Sequence, residues 1–124
     1  MPSEGQTEGR AIHEALAHIL TRPGMYVGAP ANLAESLWCF ICGYDAGLRC
    51  PRSPDEKPKE LIPKELLRHI QKELGLQFNE GGIIEKLILR EGDSESALAG
   101  LRAIIGEYYG CTIDRESVPP LKQP

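Results

Sequence analysis

Apolar residues recur at three- and four-residue steps in five stretches of the chain, the spacing of one face of an α-helix. The stripes consist of Ile12, Leu16, Ile19 and Leu20; Leu33, Leu37, Phe40, Ile41, Tyr44 and Leu48; Leu66, Leu67, Ile70 and Leu74; Ile83, Ile84, Leu87 and Ile88; and Ala97, Leu98, Leu101, Ile104, Ile105 and Tyr108. This pattern predicts a single all-α domain of about five helices.

Residues that favour helix N-termini precede three of these stripes. Asn32, followed three residues later by Glu35, has the spacing of a capping box, so the second helix is predicted to begin there. Pro63 suits the first turn of the third helix, where its missing amide hydrogen has no helical partner. Asp93 or Ser94 is expected to cap the fifth helix.

Residues that end helices follow the stripes. Arg22 stands before Pro23, which disfavours a helical backbone, so the first helix is predicted to end near Thr21. The other predicted ends are glycines, which adopt the left-handed conformation of a helix C-cap without strain. They close the third, fourth and fifth helices at Gly75, Gly92 and Gly110.

The most distinctive string of the sequence is RPGMYVG, residues 22–28. Pro23-Gly24 is the pair that a type II turn prefers. Met25-Tyr26-Val27 is short, apolar and rich in strand-forming residues. We therefore expect an extended PGMYVG clip that lies across the core. Cys111-Thr112-Ile113 could form a short strand beside it, giving a minor two-stranded pairing.

The second helix, Leu33 to Leu48, is apolar on most of its surface and is therefore predicted to lie at the centre of the fold. Gly43 and Gly47 lie four residues apart on this helix, at a cost in helix propensity. This spacing indicates close packing of another backbone or, alternatively, a groove that admits a ligand.

Four reactive or aromatic side chains fall within predicted helical stripes and are expected to be buried. Cys39 and Cys42 form a CxxC pair, but in the middle of a helix they are interpreted as small buried residues and not as a redox or zinc pair. Tyr44 and Tyr108 lie on core stripes, so their rings are expected to be covered.

Length and composition fit one globular domain. The 124 residues are 41% hydrophobic and 26% charged, which is ordinary for such a protein. Residues 1–9 are polar and are predicted to form a flexible lead-in to a domain at residues 10–116. Residues 117–124 contain three prolines and are predicted to be a disordered tail.

Hydropathy and charge narrow the functional class. No apolar run reaches the roughly 18 residues of a membrane span, and the N-terminus lacks the pattern of a signal peptide. We therefore expect a cytoplasmic protein that does not associate with membranes. The formal charge of −4 and the pI near 5.4 argue against nucleic-acid binding by phosphate neutralisation.

Candidate catalytic and metal-binding groups do not form a known constellation. His13 and His18 lie five residues apart, a spacing that turns them away from a common metal site. His69 lies at the edge of a stripe and is interpreted as a surface histidine or one with satisfied hydrogen bonds. The paired carboxylates Asp55-Glu56 and Glu91 with Asp93 lie in charge-rich loops. We therefore expect no catalytic residue, no metal and no cofactor.

The RPGMYVG string resembles the RPGMYIG string near the start of the ATPase region of gyrase B-type topoisomerase subunits. The preceding segment, Ala11 to Thr21, is similar as well. In those enzymes the next helix supplies a Glu base and an Asp-Asn pair for metal and ATP, and a Gly-rich box follows. Here the stretch Glu35 to Asp45 has no Asp-Asn pair, and no GxG box follows it. We interpret the shared string as a common turn or a remnant and expect no ATP hydrolysis.

Most of the chain resembles a family of small uncharacterised bacterial helical proteins with a PGMY-x-G turn. The shared features are Gly43-Tyr44 late in a helix, a variable loop, a polar helix, Gly82-Ile83-Ile84 before a short helix, and a final helix with Ala97 and Glu107-Tyr108. Later Trp and Phe positions of the family are replaced here, by Ile83 or Ile84 and by Leu101 and Ile104. Some members are associated with immunity to bacterial toxins, which implies inhibition by binding.

The resemblance predicts a non-catalytic protein-binding domain, an immunity-type inhibitor that neutralises a toxin by stoichiometric binding. From their positions in the chain, Tyr26 and Tyr109 are predicted to be aromatic anchors. Glu107, Asp114 and Glu116 are predicted to form an acidic rim that faces a basic cleft on the toxin.

Two other functional classes stay open at this point, and the sequence does not determine an oligomeric state. A small-molecule-binding or enzymatic domain would use a pocket between the PGMYVG clip and the central helix. A structural or assembly subunit would show a large symmetric apolar patch.

Overall fold

The helices occupy most of the chain in a computed structural model that describes residues 11–51, 53–57, 59–77 and 81–118. They are α1 (Glu14–Thr21), α2 (Gly24–Val27), α3 (Leu33–Arg49), α4 (Lys64–Glu73), α5 (Ile83–Glu91) and α6 (Ser94–Tyr109). The described residues contain no strand, so the predicted all-α fold is confirmed. The predicted lead-in at residues 1–9 and the tail beyond residue 118 lie outside the described residues.

The core lies between α3 and α6. Helix α6 packs against α3, α4 and α5, and α3 also contacts α2 and α5. Leu37 and Ile41 of α3 and Leu101 and Ile105 of α6 are almost completely buried in one hydrophobic cluster. The predicted central helix therefore shares the centre of the fold with α6. None of the helices built from the described residues is both long and apolar enough to cross a bilayer.

The predicted extended clip is wrong, because the PGMYVG segment forms the single-turn helix α2. Pro23 has φ −61° and ψ −30°, and its carbonyl accepts hydrogen bonds from the N–H groups of Tyr26 at 2.9 Å and Val27 at 3.0 Å. A type II turn and a helix both accept the φ of proline, and only ψ separates them. Gly28, with φ +73°, then ends the helix. The predicted strand pairing with residues 111–113 is likewise not formed.

The predicted capping box at the start of α3 does not form, because Asn32 makes no capping hydrogen bond. Ser94, the first residue of α6, caps α3 in place of Asn32. Oγ of Ser94 accepts a hydrogen bond from the N–H of Ala34 at 2.8 Å and donates one to Oε1 of Glu35 at 2.9 Å. Helix α6 is itself capped by Asp93, as predicted. Oδ1 of Asp93 accepts a hydrogen bond from the N–H of Ser96 at 2.7 Å. The N-termini of α3 and α6 therefore meet at Ser94.

An ion pair on α3 holds the end of the loop that precedes α4. Oδ1 of Asp45 accepts hydrogen bonds from the N–H groups of Leu61 at 2.8 Å and Ile62 at 3.0 Å. Oδ2 of Asp45 accepts one from Nε of Arg49 at 2.7 Å. Burial would raise the pKa of Asp45, but the hydrogen bonds from Arg49, Ile62 and Leu61 outweigh burial and lower it. The loop is thereby positioned so that Leu61 and Ile62 enter the core.

Close backbone packing occurs at Gly106 of α6 and not at the predicted pair on α3. A Cβ atom built on Gly43 or Gly47 would have no neighbour within 4 Å. A Cβ on Gly106 would lie 2.5 Å from the carbonyl oxygen of Cys111. The reason is the chain reversal after α6, where Gly110 has φ +70° and the N–H of Cys111 donates to the Gly106 carbonyl at 2.9 Å.

Candidate functional site

A row of three contacting aromatic side chains, Tyr26, Phe40 and Tyr44, runs from α2 onto α3. Together with Met25, the residue that precedes Tyr26, we call these residues the turn–helix surface. The ring centroids of Tyr26 and Phe40 lie 5.3 Å apart, and those of Phe40 and Tyr44 lie 6.1 Å apart. Met25 is 69% exposed and Tyr44 is 38% exposed. Phe40 in the middle of the row is therefore packed on both sides, while Tyr44 at its α3 end and Met25 of α2 present large apolar groups to solvent.

The turn–helix surface is held in place by α1. The hydroxyl of Tyr26 and Nδ1 of His18 share a hydrogen bond of 2.5 Å, and the two rings meet edge to face at 5.6 Å. His18 is almost fully buried, so this contact anchors α2 on the inside of the protein. Burial, together with nearby Tyr44, raises the pKa of the Tyr26 phenol, while Arg22 acts in the opposite direction. Tyr26 thus supports the surface and stays neutral at physiological pH.

Helical geometry separates the two flanks of α3. Phe40 and Tyr44 lie four residues apart and share one flank. Trp38, Asp45 and Arg49 share the opposite flank, which faces the segment at residues 61–67. Between the flanks lies the buried stripe of Ala34, Leu37 and Ile41.

The expected burial of Tyr44, Cys39 and Cys42 is wrong, because all three are exposed. The helices that pack on α3 cover a stripe narrower than its apolar sequence. The thiol of Cys42 is still partly desolvated, and this desolvation, reinforced by Cys39 and Asp45, raises its pKa. Tyr44 is therefore a surface aromatic that the apolar periodicity of the sequence misassigned to the core.

The predicted binding residues of the C-terminal part lie at and beyond the end of α6. Glu107 is exposed and faces α4. Tyr109 is half-buried against Tyr108, with ring centroids 4.9 Å apart, and burial raises the pKa of Tyr109 to about 12. Asp114 is exposed and accepts a hydrogen bond from the Ser117 N–H at 2.7 Å, while Glu116 is also exposed.

The five predicted site residues therefore fall into two groups. Tyr26 contacts His18 and Phe40, on the flank of α3 that carries the turn–helix surface. Tyr109 lies at the C-terminal end of α6, where its ring contacts that of Tyr108. It is also within electrostatic range of Glu60, and Glu60 forms an ion pair with Arg49 on the opposite flank of α3.

A cluster that the sequence did not reveal joins α4 to α6. Nε2 of His69 lies 3.9 Å from Oε1 of Glu73 and 3.8 Å from Oε1 of Glu107. The sequence does indicate that His69 and Glu73 are neighbours, because they lie four residues apart on one predicted helix. The contribution of Glu107 depends on how α6 packs on α4 and has no local signal.

Two of the open clefts that the described residues form border α3. One, of about 380 Å³, lies between residues 29–33 and the start of α6 at residues 93–95. The other, of about 220 Å³, lies between the Trp38 flank of α3 and residues 62–67. The interface between α2 and α3, where a ligand pocket was one alternative, is occupied by the Tyr26 ring packed on Phe40.

Comparisons of the chain with protein-family models, with curated proteins and with solved structures found no match. The immunity-type function therefore stays a prediction from the shared residues. What the chain does has to be inferred from its own surfaces.

Proposed function

We propose that the chain acts without catalysis, by binding another protein through the turn–helix surface as an immunity-type inhibitor does. The observation that carries this proposal is the exposure of Tyr44, at the α3 end of a row of contacting aromatic rings, and of Met25, which precedes the Tyr26 end of that row in the chain. Single exposed apolar residues are common on protein surfaces, but grouped ones mark interaction sites. Aromatic residues and methionine are also the types enriched in protein interfaces.

The packing of the row favours tight binding. Tyr26 is fixed by its hydrogen bond to His18, and Phe40 is half-buried between Tyr26 and Tyr44. Side chains that are already ordered lose little conformational entropy when a partner covers them. Tyr44, which is exposed and packs on the ordered Phe40 ring, and the exposed Met25 are the residues expected to contribute most of the binding free energy.

The charge of the chain favours a basic partner. The net charge is −4, and Asp114 and Glu116 are exposed beyond the end of α6. An acidic inhibitor and a basic cleft attract each other at long range, which raises the association rate. A bacterial toxin whose active site binds an anionic substrate would present such a cleft. We also propose that this action takes place in the cytoplasm, where reducing conditions suit a chain with four exposed cysteines, Cys39, Cys42, Cys50 and Cys111.

The experiment that tests the proposal is affinity capture with three matched baits: the wild type, Met25→Asp with Tyr44→Asp, and Leu89→Asp. Leu89 is 82% exposed on α5 and is the control for loss of an exposed apolar side chain outside the turn–helix surface. The proposal predicts that wild type and the Leu89 variant recover one protein in equimolar amount, that the double variant does not, and that this protein is toxic when produced alone.

Two results would overturn the proposal. Recovery of the same protein by all three baits would remove the turn–helix surface as the binding site. Recovery of no equimolar protein by the wild type, from lysates of cells that make the chain at natural levels, would remove partner binding.

A further inference from the structure

Three metal-ligating side chains converge where α4 packs on α6. His69 and Glu73 lie one helical turn apart on α4, and Glu107 comes from the last turns of α6. Nε2 of His69 and one carboxylate oxygen of each glutamate all lie within 4.8 Å of one another. The three side chains thus point into one small volume.

The imidazole of His69 is aimed into this volume without a hydrogen-bond partner. Its Nε2 atom is buried from solvent and has no hydrogen bond among the described residues. The two carboxylate oxygens face it at 3.9 Å and 3.8 Å, which is too far for a hydrogen bond. The ring of Tyr108 lies 5.4 Å from the ring of His69. A buried polar atom without a partner is costly, so this arrangement points to a group that would sit between the three side chains.

We propose that His69, Glu73 and Glu107 form a binding site for a divalent transition-metal cation, with zinc as the best fit. One imidazole nitrogen and two carboxylate oxygens are a zinc ligand set, and a water would complete a tetrahedral site. Two bonds of about 2.1 Å at the tetrahedral angle hold ligand atoms about 3.4 Å apart. The observed 3.8 Å and 3.9 Å exceed this separation by a few tenths of an ångström.

The two glutamates can close this difference. The side chains of Glu73 and Glu107 are 40% and 66% exposed, respectively, so both are partly bordered by solvent, into which small rotations can move them. A divalent cation would also neutralise the two carboxylates that converge on one imidazole. Magnesium and calcium prefer oxygen-only sites, so the nitrogen of His69 selects against them.

Metal binding at this cluster would link α4 to the C-terminal half of α6. The link is independent of the turn–helix surface, because none of its three ligands belongs to that surface. It would stabilise the folded chain by a free energy that grows with the logarithm of the zinc concentration once that concentration exceeds the dissociation constant. The site thus adds a metal-dependent property to the proposed protein-binding function and does not require it.

Calorimetric titration of zinc chloride into the untagged, full-length chain tests the site. The variants are His69→Ala and Glu107→Gln; Glu65→Gln removes another exposed carboxylate of α4 as a control. A further variant, Cys39→Ser with Cys42→Ser, separates this site from zinc binding by the exposed thiols. The proposal predicts one zinc per chain, affinity reduced at least about tenfold in the first two variants, and unchanged affinity in the two controls.

Thermal melting gives a second readout, since zinc should raise the melting temperature of the wild type and not that of Glu107→Gln. The side chain of Glu107 is largely exposed, so Glu107→Gln is expected to fold. This variant therefore tests the zinc site even if His69→Ala fails to fold. The site is refuted if the wild type shows no saturable zinc binding. It is equally refuted if affinity is lost in the cysteine variant but kept in Glu107→Gln.

Discussion

Ser94 and Glu35 lie 59 residues apart in the chain, and their side chains share a hydrogen bond of 2.9 Å. The same Ser94 hydroxyl accepts the N–H of Ala34 at 2.8 Å. One side chain therefore caps α3 while belonging to α6. Because α3 carries Phe40 and Tyr44, this contact also fixes the helix on which the turn–helix surface is built.

Substitution of Ser94 by alanine should lower the free energy of unfolding by about 1–2 kcal/mol, because an N–H at the start of α3 loses its cap. Ser36→Ala is the control. The Ser36 hydroxyl makes an exposed 3.3 Å contact to Asn32, so its loss should change stability by less than about 0.5 kcal/mol. Urea unfolding monitored by circular dichroism measures both. Equal stability of the two variants would show that the contact between α3 and α6 contributes nothing.

Substitution of Asp45 by asparagine should destabilise the protein at neutral pH by about 1–3 kcal/mol, because a carboxylate that accepts three hydrogen bonds loses its charge. The pKa of Asp45 is lowered in the folded state. Its contribution is therefore present above the unfolded-state pKa of about 3.9 and is lost as the pH falls through the lower folded-state value.

Urea unfolding of wild type and Asp45→Asn at a series of pH values tests this behaviour. The difference in free energy of unfolding should be constant near neutrality and should shrink once the pH falls below about 4. Asp55→Asn removes a carboxylate from the exposed part of the same loop and serves as the control. A difference between wild type and Asp45→Asn that does not change with pH would contradict the assigned role of the carboxylate.

Two glycine-to-alanine substitutions should have effects of opposite sign. Gly106→Ala places a methyl group 2.5 Å from the Cys111 carbonyl oxygen and should destabilise the protein by about 1–3 kcal/mol. Gly43→Ala meets no atom within 4 Å on an exposed face of α3 and should stabilise it by about 0.5–1 kcal/mol. Thermal and urea unfolding report both values. A stabilising Gly106→Ala would show that the chain does not reverse over α6 as described.

Local chemistry was sufficient to predict where most helices end. Gly75 and Gly110 have the positive φ that the C-cap motif requires, and α4 and α6 end just before them. Arg22 leaves the helical region before Pro23, as its sequence position demands. These signals depend on one or two neighbouring residues and on no distant contact.

Features that depend on distant contacts could not be predicted in the same way. The ψ angle of Pro23 decides between a turn and a helix, and its helical value comes with packing of Tyr26 on Phe40 and His18, contacts that the local sequence does not encode. The width of the covered stripe on α3 depends on its neighbours, so Tyr44 was expected inside and lies at the surface. The cap of α3 by Ser94 bridges 60 residues of chain and has no local pattern.

The candidate binding residues also show the difference between local and distant signals. The sequence predicts Tyr26 and Glu107 as binding residues; Tyr26 lies in the turn–helix surface and Glu107 in the cluster with His69 and Glu73. Tyr26 supports the turn–helix surface from within through its hydroxyl, and Glu107 faces His69 across two helices. Tyr44, the exposed end of the row, was missed because helical periodicity does not distinguish the centre of a stripe from its edge.

The most direct test of the proposed function is the affinity of the purified partner for wild type, Tyr44→Ala and Leu89→Ala, measured by calorimetry. The account predicts a one-to-one complex whose dissociation constant rises at least about tenfold for Tyr44→Ala, the cost of a truncated interface anchor, and is unchanged for Leu89→Ala. Equal dissociation constants for wild type and Tyr44→Ala would contradict it.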